Sequence, residues 1–156
     1  MNLSIRRRGF SLIELVIVIV IIGIIGAIAV PRMSRAATGA ADSSLVADLN
    51  VLRTAIELYQ AEHGGQYPSF ANFVPQLTTY TDDQGNTNAT RTTTYIYGPY
   101  IREIPAIKIG PNKGANTVSN VAEDGTAWFY DEATGSIRAN LANSEVDARG
   151  TQYNTY

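Results

Sequence analysis

The chain has 156 residues, no cysteine and one histidine, so disulfides, zinc–thiolate centres and cysteine nucleophiles are excluded. Setting residues 1–9 aside takes Lys+Arg from 12 to 9 and leaves Asp+Glu at 14, a net charge of −5 over the rest. An acidic body of this kind argues against nucleic acid as a partner, because phosphate binding needs clustered Lys and Arg.

Arg6, Arg7 and Arg8 precede an apolar run from Phe10 to Val30, 21 residues in which Glu14 is the only charge. As a helix this run rises about 31 Å, close to the roughly 30 Å hydrocarbon core of a bilayer. The arginines favour an orientation with the short leading end in the cytoplasm. Three simple uses of such a segment compete. Ala27-Ile28-Ala29 offers a small-x-small cut for a secretory signal peptide, although the run is long for one and Pro31 follows closely. Arg7-Arg8-Gly9-Phe10 partly fits a twin-arginine signal, whose apolar run is usually less hydrophobic. A plain anchor needs no carboxylate, which costs about 2.5–3.5 kcal/mol at a span centre and less near the end, where Glu14 sits.

Gly9-Phe10-Ser11-Leu12-Ile13-Glu14 closely resembles the processing site of type IV pilin-like proteins, the prepilins. The resemblance implies that residues 1–9 are a leader, cut after Gly9 by a membrane peptidase that also N-methylates the new terminal Phe10. Glu14 then stands fifth in the mature chain, and Pro31 matches a proline further along the family's helix. Residues 10–31 would be the transmembrane and assembly helix. The freed Phe10 amine is a cation in the apolar layer. In a fibre, Glu14 of one subunit would neutralise the Phe10 amine of a neighbour, offsetting much of the cost of burying either group alone. Pro31 removes a backbone donor, so a bend is expected near residues 27–31. Gly23 and Gly26 permit close helix approach.

Residues 32–63 read as an amphipathic helix. It is expected to break over Ala36–Ala41 and to restart at a cap on Asp42 or Ser43. Leu45, Leu49, Leu52, Ile56 and Tyr59 fall on one face, a packing stripe against a sheet. His63 reads as a surface residue, and Gly64-Gly65 as the helix stop.

Residues 64–156 read as loop-rich, with a C-terminal β-hairpin. Tyr67-Pro68 resembles a dipeptide that follows the long helix in pseudopilins, where the ring packs on the helix. Phe70, Phe73, Val74 and Leu77 mark a short amphipathic helix. Residues 81–94 read as a surface loop in which Asp82 and Asp83 are solvated. Its Asn88-Ala89-Thr90 sequon is expected to stay unmodified. Tyr95-Ile96-Tyr97 is β-prone, and Gly98 to Pro105 resembles a segment of the major pseudopilins of type II secretion. Residues 106–117 read as loop. Residues 126–130 and 136–141 read as strands joined by 131–135. Trp128 and Tyr130 share one face, and so do Ile137, Ala139 and Leu141. The tail, 142–156, is polar and carries no signal.

The fold class expected is therefore α+β and pilin-like: a long N-terminal helix, transmembrane then amphipathic, packed on a small antiparallel sheet. No nucleophile, phosphate-binding loop or acid–base constellation can be assembled, so no enzymatic activity is expected. Some major pseudopilins carry calcium in an acidic loop. Glu123-Asp124-Gly125 and Asp131-Glu132 do not match that pattern, so neither metal nor cofactor is expected. The resemblance implies a structural subunit of a pilus-like fibre, most like a type II secretion pseudopilus. Its partners would be further copies, other pilin-like subunits, the prepilin peptidase and an inner-membrane assembly platform. It would sit as a single pass in the inner membrane with its globular part in the periplasm. A type IV or DNA-uptake pilin is one alternative. A membrane-anchored periplasmic module that binds glycan through Trp128 and nearby tyrosines is another.

Overall fold

The computed structural model describes residues 10–156. A single helix, α1 (Leu12–Glu62), is 51 residues long and contains Pro31. The expected break over Ala36–Ala41 is absent, and neither Asp42 nor Ser43 is a cap. Alanine is the strongest helix former, and a proline disturbs only the turn before it. The hydroxyls of Thr38 and Ser43 donate to Ser34 O and Gly39 O one turn back, which keeps them within the helix. Asp42 instead accepts a hydrogen bond from the Tyr153 hydroxyl at 2.6 Å.

Contacts divide the chain into two units between Thr38 and Gly39. In the first, every large apolar side chain from Phe10 to Met33 is exposed. In the second, the stripe Leu45, Leu49, Leu52, Ile56 and Tyr59 is buried in full. Gly64 and Gly65 then turn the chain at φ 63° and 87°, and Gly65 N–H bonds to Gln60 O at 2.9 Å. That is a glycine-dependent helix stop.

A 3-10 turn, Phe70–Asn72, leads into α2 (Phe73–Thr78), which buries Phe73 and Leu77. β1 (Tyr80–Thr81) pairs antiparallel with β2 (Thr87–Asn88). The main sheet is β3 (Val118–Ser119), β4 (Trp128–Asp131) and β5 (Ser136–Ala139). β4 and β5 form the expected hairpin, in register from Trp128↔Ala139 to Asp131↔Ser136. Alternation buries Trp128, Tyr130, Ile137 and Ala139 against the α1 stripe, with Leu141 just beyond the strand. Two polar tips meet carbonyls inside this core: Trp128 Nε1–H donates to Pro105 O and the Tyr130 hydroxyl to Pro68 O, both at 2.8 Å.

Three features differ from expectation. β3 joins the sheet parallel to β4, a pairing that its two residues do not announce. Tyr95-Ile96-Tyr97 forms no strand and contributes only a bridge from Tyr97 to Thr81. The polar tail is tied down: Tyr153 is buried, and Arg53 Nη2 donates to Tyr156 O at 2.6 Å. The Tyr67 ring is partly buried on the core and lies against Gly135 at the hairpin turn.

Candidate functional site: the amino-terminal helix

Gly9 lies outside the described residues. Phe10 precedes the helix and is exposed. Ser11 is the residue before the first helical position, and its N–H donates to Glu14 Oε2 at 2.8 Å. Ser11 O accepts the Leu15 N–H at 3.2 Å. Ser11-Leu12-Ile13-Glu14 is thus the Ser-x-x-Glu pattern of a capping box, in which the third helical residue reaches back to the cap's amide. The pattern stands in the sequence, and it gives Glu14 a partner within its own chain.

Two effects act on this carboxylate in a single chain. It satisfies one orphan donor of the helix start, and it sits at the positive end of the helix dipole. Among the described residues one bond to it is made, and a carboxylate has about four acceptor positions. A cut after Gly9 would place the new amine on Phe10, one residue before the amide that Glu14 already holds. Further along, a Cβ built on Gly23 or Gly26 meets nothing within 4 Å. The helix is therefore notched at those two positions, where another helix can approach closely. α1 is also the one described helix long and apolar enough to cross a membrane.

In the second unit, the polar residues singled out by sequence serve the fold. His63 is buried, not on the surface. Its ring stacks on Tyr59 with centroids 3.8 Å apart, and its nitrogens lie 2.8 Å from Tyr59 O and 2.9 Å from Asp82 O. Asp82 is also buried rather than solvated. It accepts from Gln84 N–H at 3.0 Å, Asn86 N–H at 2.8 Å and Asn86 Nδ2 at 2.9 Å. The Asn86 side-chain amide, followed by these backbone donors, holds the Asp82 carboxyl below the usual carboxylate range. Asp124 and Asp131 close local turns through Thr126 and Ala133. Among the described residues no group of three or more His, Cys, Asp or Glu is placed to hold a metal. Trp128 has no exposed surface, so it offers no stacking platform for a sugar.

Residues 5–30 match the family model described as the prokaryotic N-terminal methylation motif. No curated protein and no solved structure matches the chain.

Proposed function

We propose that this chain, type IV pilin-like by its N-terminal methylation motif, is a non-enzymatic structural subunit of a pilus-like fibre. The observation that carries this is the coincidence of the motif with the first part of α1, where every large apolar side chain up to Met33 is exposed. Exposed apolar surface costs about 25 cal/mol per Å² in water. Such a helix must lie in lipid or be covered by other chains, and a subunit that is first stored and then polymerised uses both. The leader would be removed after Gly9 and Phe10 methylated by the prepilin peptidase. Glu14 would cap its own helix in the single chain and neutralise the Phe10 amine of a neighbour in the fibre.

Within this class, the absence of cysteine and the pseudopilin-like segment from Gly98 to Pro105 favour the pseudopilus of a type II secretion system over an adhesive or DNA-uptake pilus. Arg6–Arg8 favour an orientation with the leading end in the cytoplasm, which would put the globular unit in the periplasm. The assembly platform of the inner membrane and other pilin-like subunits are the partners.

Mass spectrometry of the mature amino terminus tests the processing step, with N-methyl-Phe10 as the expected first residue. A functional protein that still begins at Met1, or that begins near Val30, contradicts it. Deleting the gene separates secretion from pilus function. Loss of exoprotein export with surface pili intact is expected; loss of pili or DNA uptake with export intact points to the alternative.

A further inference from the structure

The free edge of β3 opens onto a slot in the globular unit. Trp128 N–H donates to Thr117 O at 3.0 Å within the parallel pair, whose register is Val118↔Trp128. In a parallel ladder the bonds of Trp128 go to the two residues that flank Val118. The N–H and C=O of Val118 therefore point away from β4, and neither meets a partner among the described residues.

The other wall of the slot is formed by residues 102–104. Just beyond them the chain pairs with itself: Ile107 N–H bonds Ala115 O at 2.8 Å, and Gly114 N–H bonds Ile107 O at 2.7 Å. Past this closed pair, residues 102–104 and 116–118 part around a cavity of about 440 Å³. Val74, Ile104 and Val118 give it an apolar lining. Arg102 and Glu103 are exposed at its edge, and neither forms an ion pair among the described residues. Residues 116–118 line the cavity on one side and residues 102–104 on the other. It combines an apolar lining, charges of both signs that form no ion pair among the described residues, and Val118, whose backbone groups are free of β4.

We infer that this slot takes an extended segment of a partner polypeptide, added as a strand beside β3. An open sheet edge is a template for pairing, in which main-chain bonds give affinity and alternate side chains give specificity. The chemistry selects the partner. It is a proline-free, β-prone stretch with an aliphatic residue to enter the lining between Val74, Ile104 and Val118. A basic and an acidic residue beside it would meet Glu103 and Arg102. The inference rests on the β3 edge and is independent of the amino-terminal motif, so it stands or falls apart from the fibre assignment.

The test is selection of a phage-displayed random heptapeptide library on the full chain in detergent micelles, with the Val74→Trp variant as counter-selection. Val74 lies partly exposed on α2, so the larger ring fills the slot without entering the core. Selected peptides should be free of proline and carry a central aliphatic residue. They should bind Val74→Trp at least about tenfold more weakly. N-methylation of the central peptide amide should weaken binding by a similar factor, because it removes the strand bond and leaves the side chain. The inference is overturned if no sequence is enriched, if the selected peptides bind both proteins equally, or if N-methylation leaves affinity unchanged.

Discussion

Asp82 shows how much one buried carboxylate does in this fold. Its side chain accepts three hydrogen bonds from Gln84 and Asn86, while its own carbonyl oxygen lies 2.9 Å from His63 Nε2. One residue therefore closes the turn after β1 and attaches it to the end of α1. Replacing it by alanine leaves those donors without their acceptor, and each such loss costs about 1–3 kcal/mol less whatever water recovers. Asp82→Ala should lower unfolding free energy by about 2 kcal/mol in urea titration. The pH dependence has a definite sign. The folded carboxyl titrates below its unfolded value, so its contribution is complete above the ordinary carboxylate range. It is lost as pH falls through the lowered folded value. Wild-type stability should fall below about pH 4, and Asp82→Asn should fall less steeply over the same range. An identical acid profile for the two proteins would show that Asp82 is not the titrating group. None of this was legible in the sequence. An aspartate beside a second aspartate in a Thr- and Asn-rich loop looks solvated, and a lone histidine before two glycines looks exposed. Their burial is a product of contacts between positions 63 and 82, which no local pattern encodes.

At the scale of elements, the hairpin and the helix stripe were legible because period and burial coincide there. Trp128 and Tyr130 alternate on β4, and the apolar residues of α1 from Leu45 to Tyr59 recur at three- and four-residue spacing. The continuity of α1 was not legible, because a proline and a glycine-containing stretch outweighed the alanines around them. β3 was not legible either, since its two residues gain strand character only from a partner ten positions away. The hairpin turn offers a comparison that isolates packing from backbone strain. Gly135 and Gly125 both have positive φ, 68° and 87°. A Cβ at Gly125 meets nothing within 4 Å, whereas one at Gly135 runs into the Tyr67 ring. Gly125→Ala should therefore cost only the left-handed strain, about 1–2 kcal/mol. Gly135→Ala should cost that plus a displaced ring, about 1–3 kcal/mol more. Thermal unfolding of the two variants reads the difference. Equal losses would mean that Tyr67 moves aside freely and does not hold the turn.

For the whole molecule, the decisive question is what Glu14 does once many chains are together. The sequence alone identified the carboxylate as anomalous and the resemblance supplied its neighbour. The structure adds an acceptor role within the same chain, from Glu14 Oε2 to Ser11 N–H. These two roles separate by substitution. Glutamine keeps an oxygen that can reach back to the Ser11 amide and loses only the charge; alanine loses both. If the cap alone mattered, Glu14→Gln would assemble like wild type and Glu14→Ala would not. If the carboxylate neutralises a neighbouring Phe10 amine in a dry fibre core, both variants leave that amine buried without its counter-charge. Breaking a buried pair in this way costs about 3–5 kcal/mol, which is more than a hundredfold per subunit contact. Both variants should therefore insert into the membrane at wild-type levels, because the apolar run Leu15–Val30 is untouched, and both should give almost no sheared fibre. Fibre yield from Glu14→Gln is the critical measurement. Assembly at the wild-type level would reduce Glu14 to a helix cap and leave the charge of the Phe10 amine without a role for its neighbour.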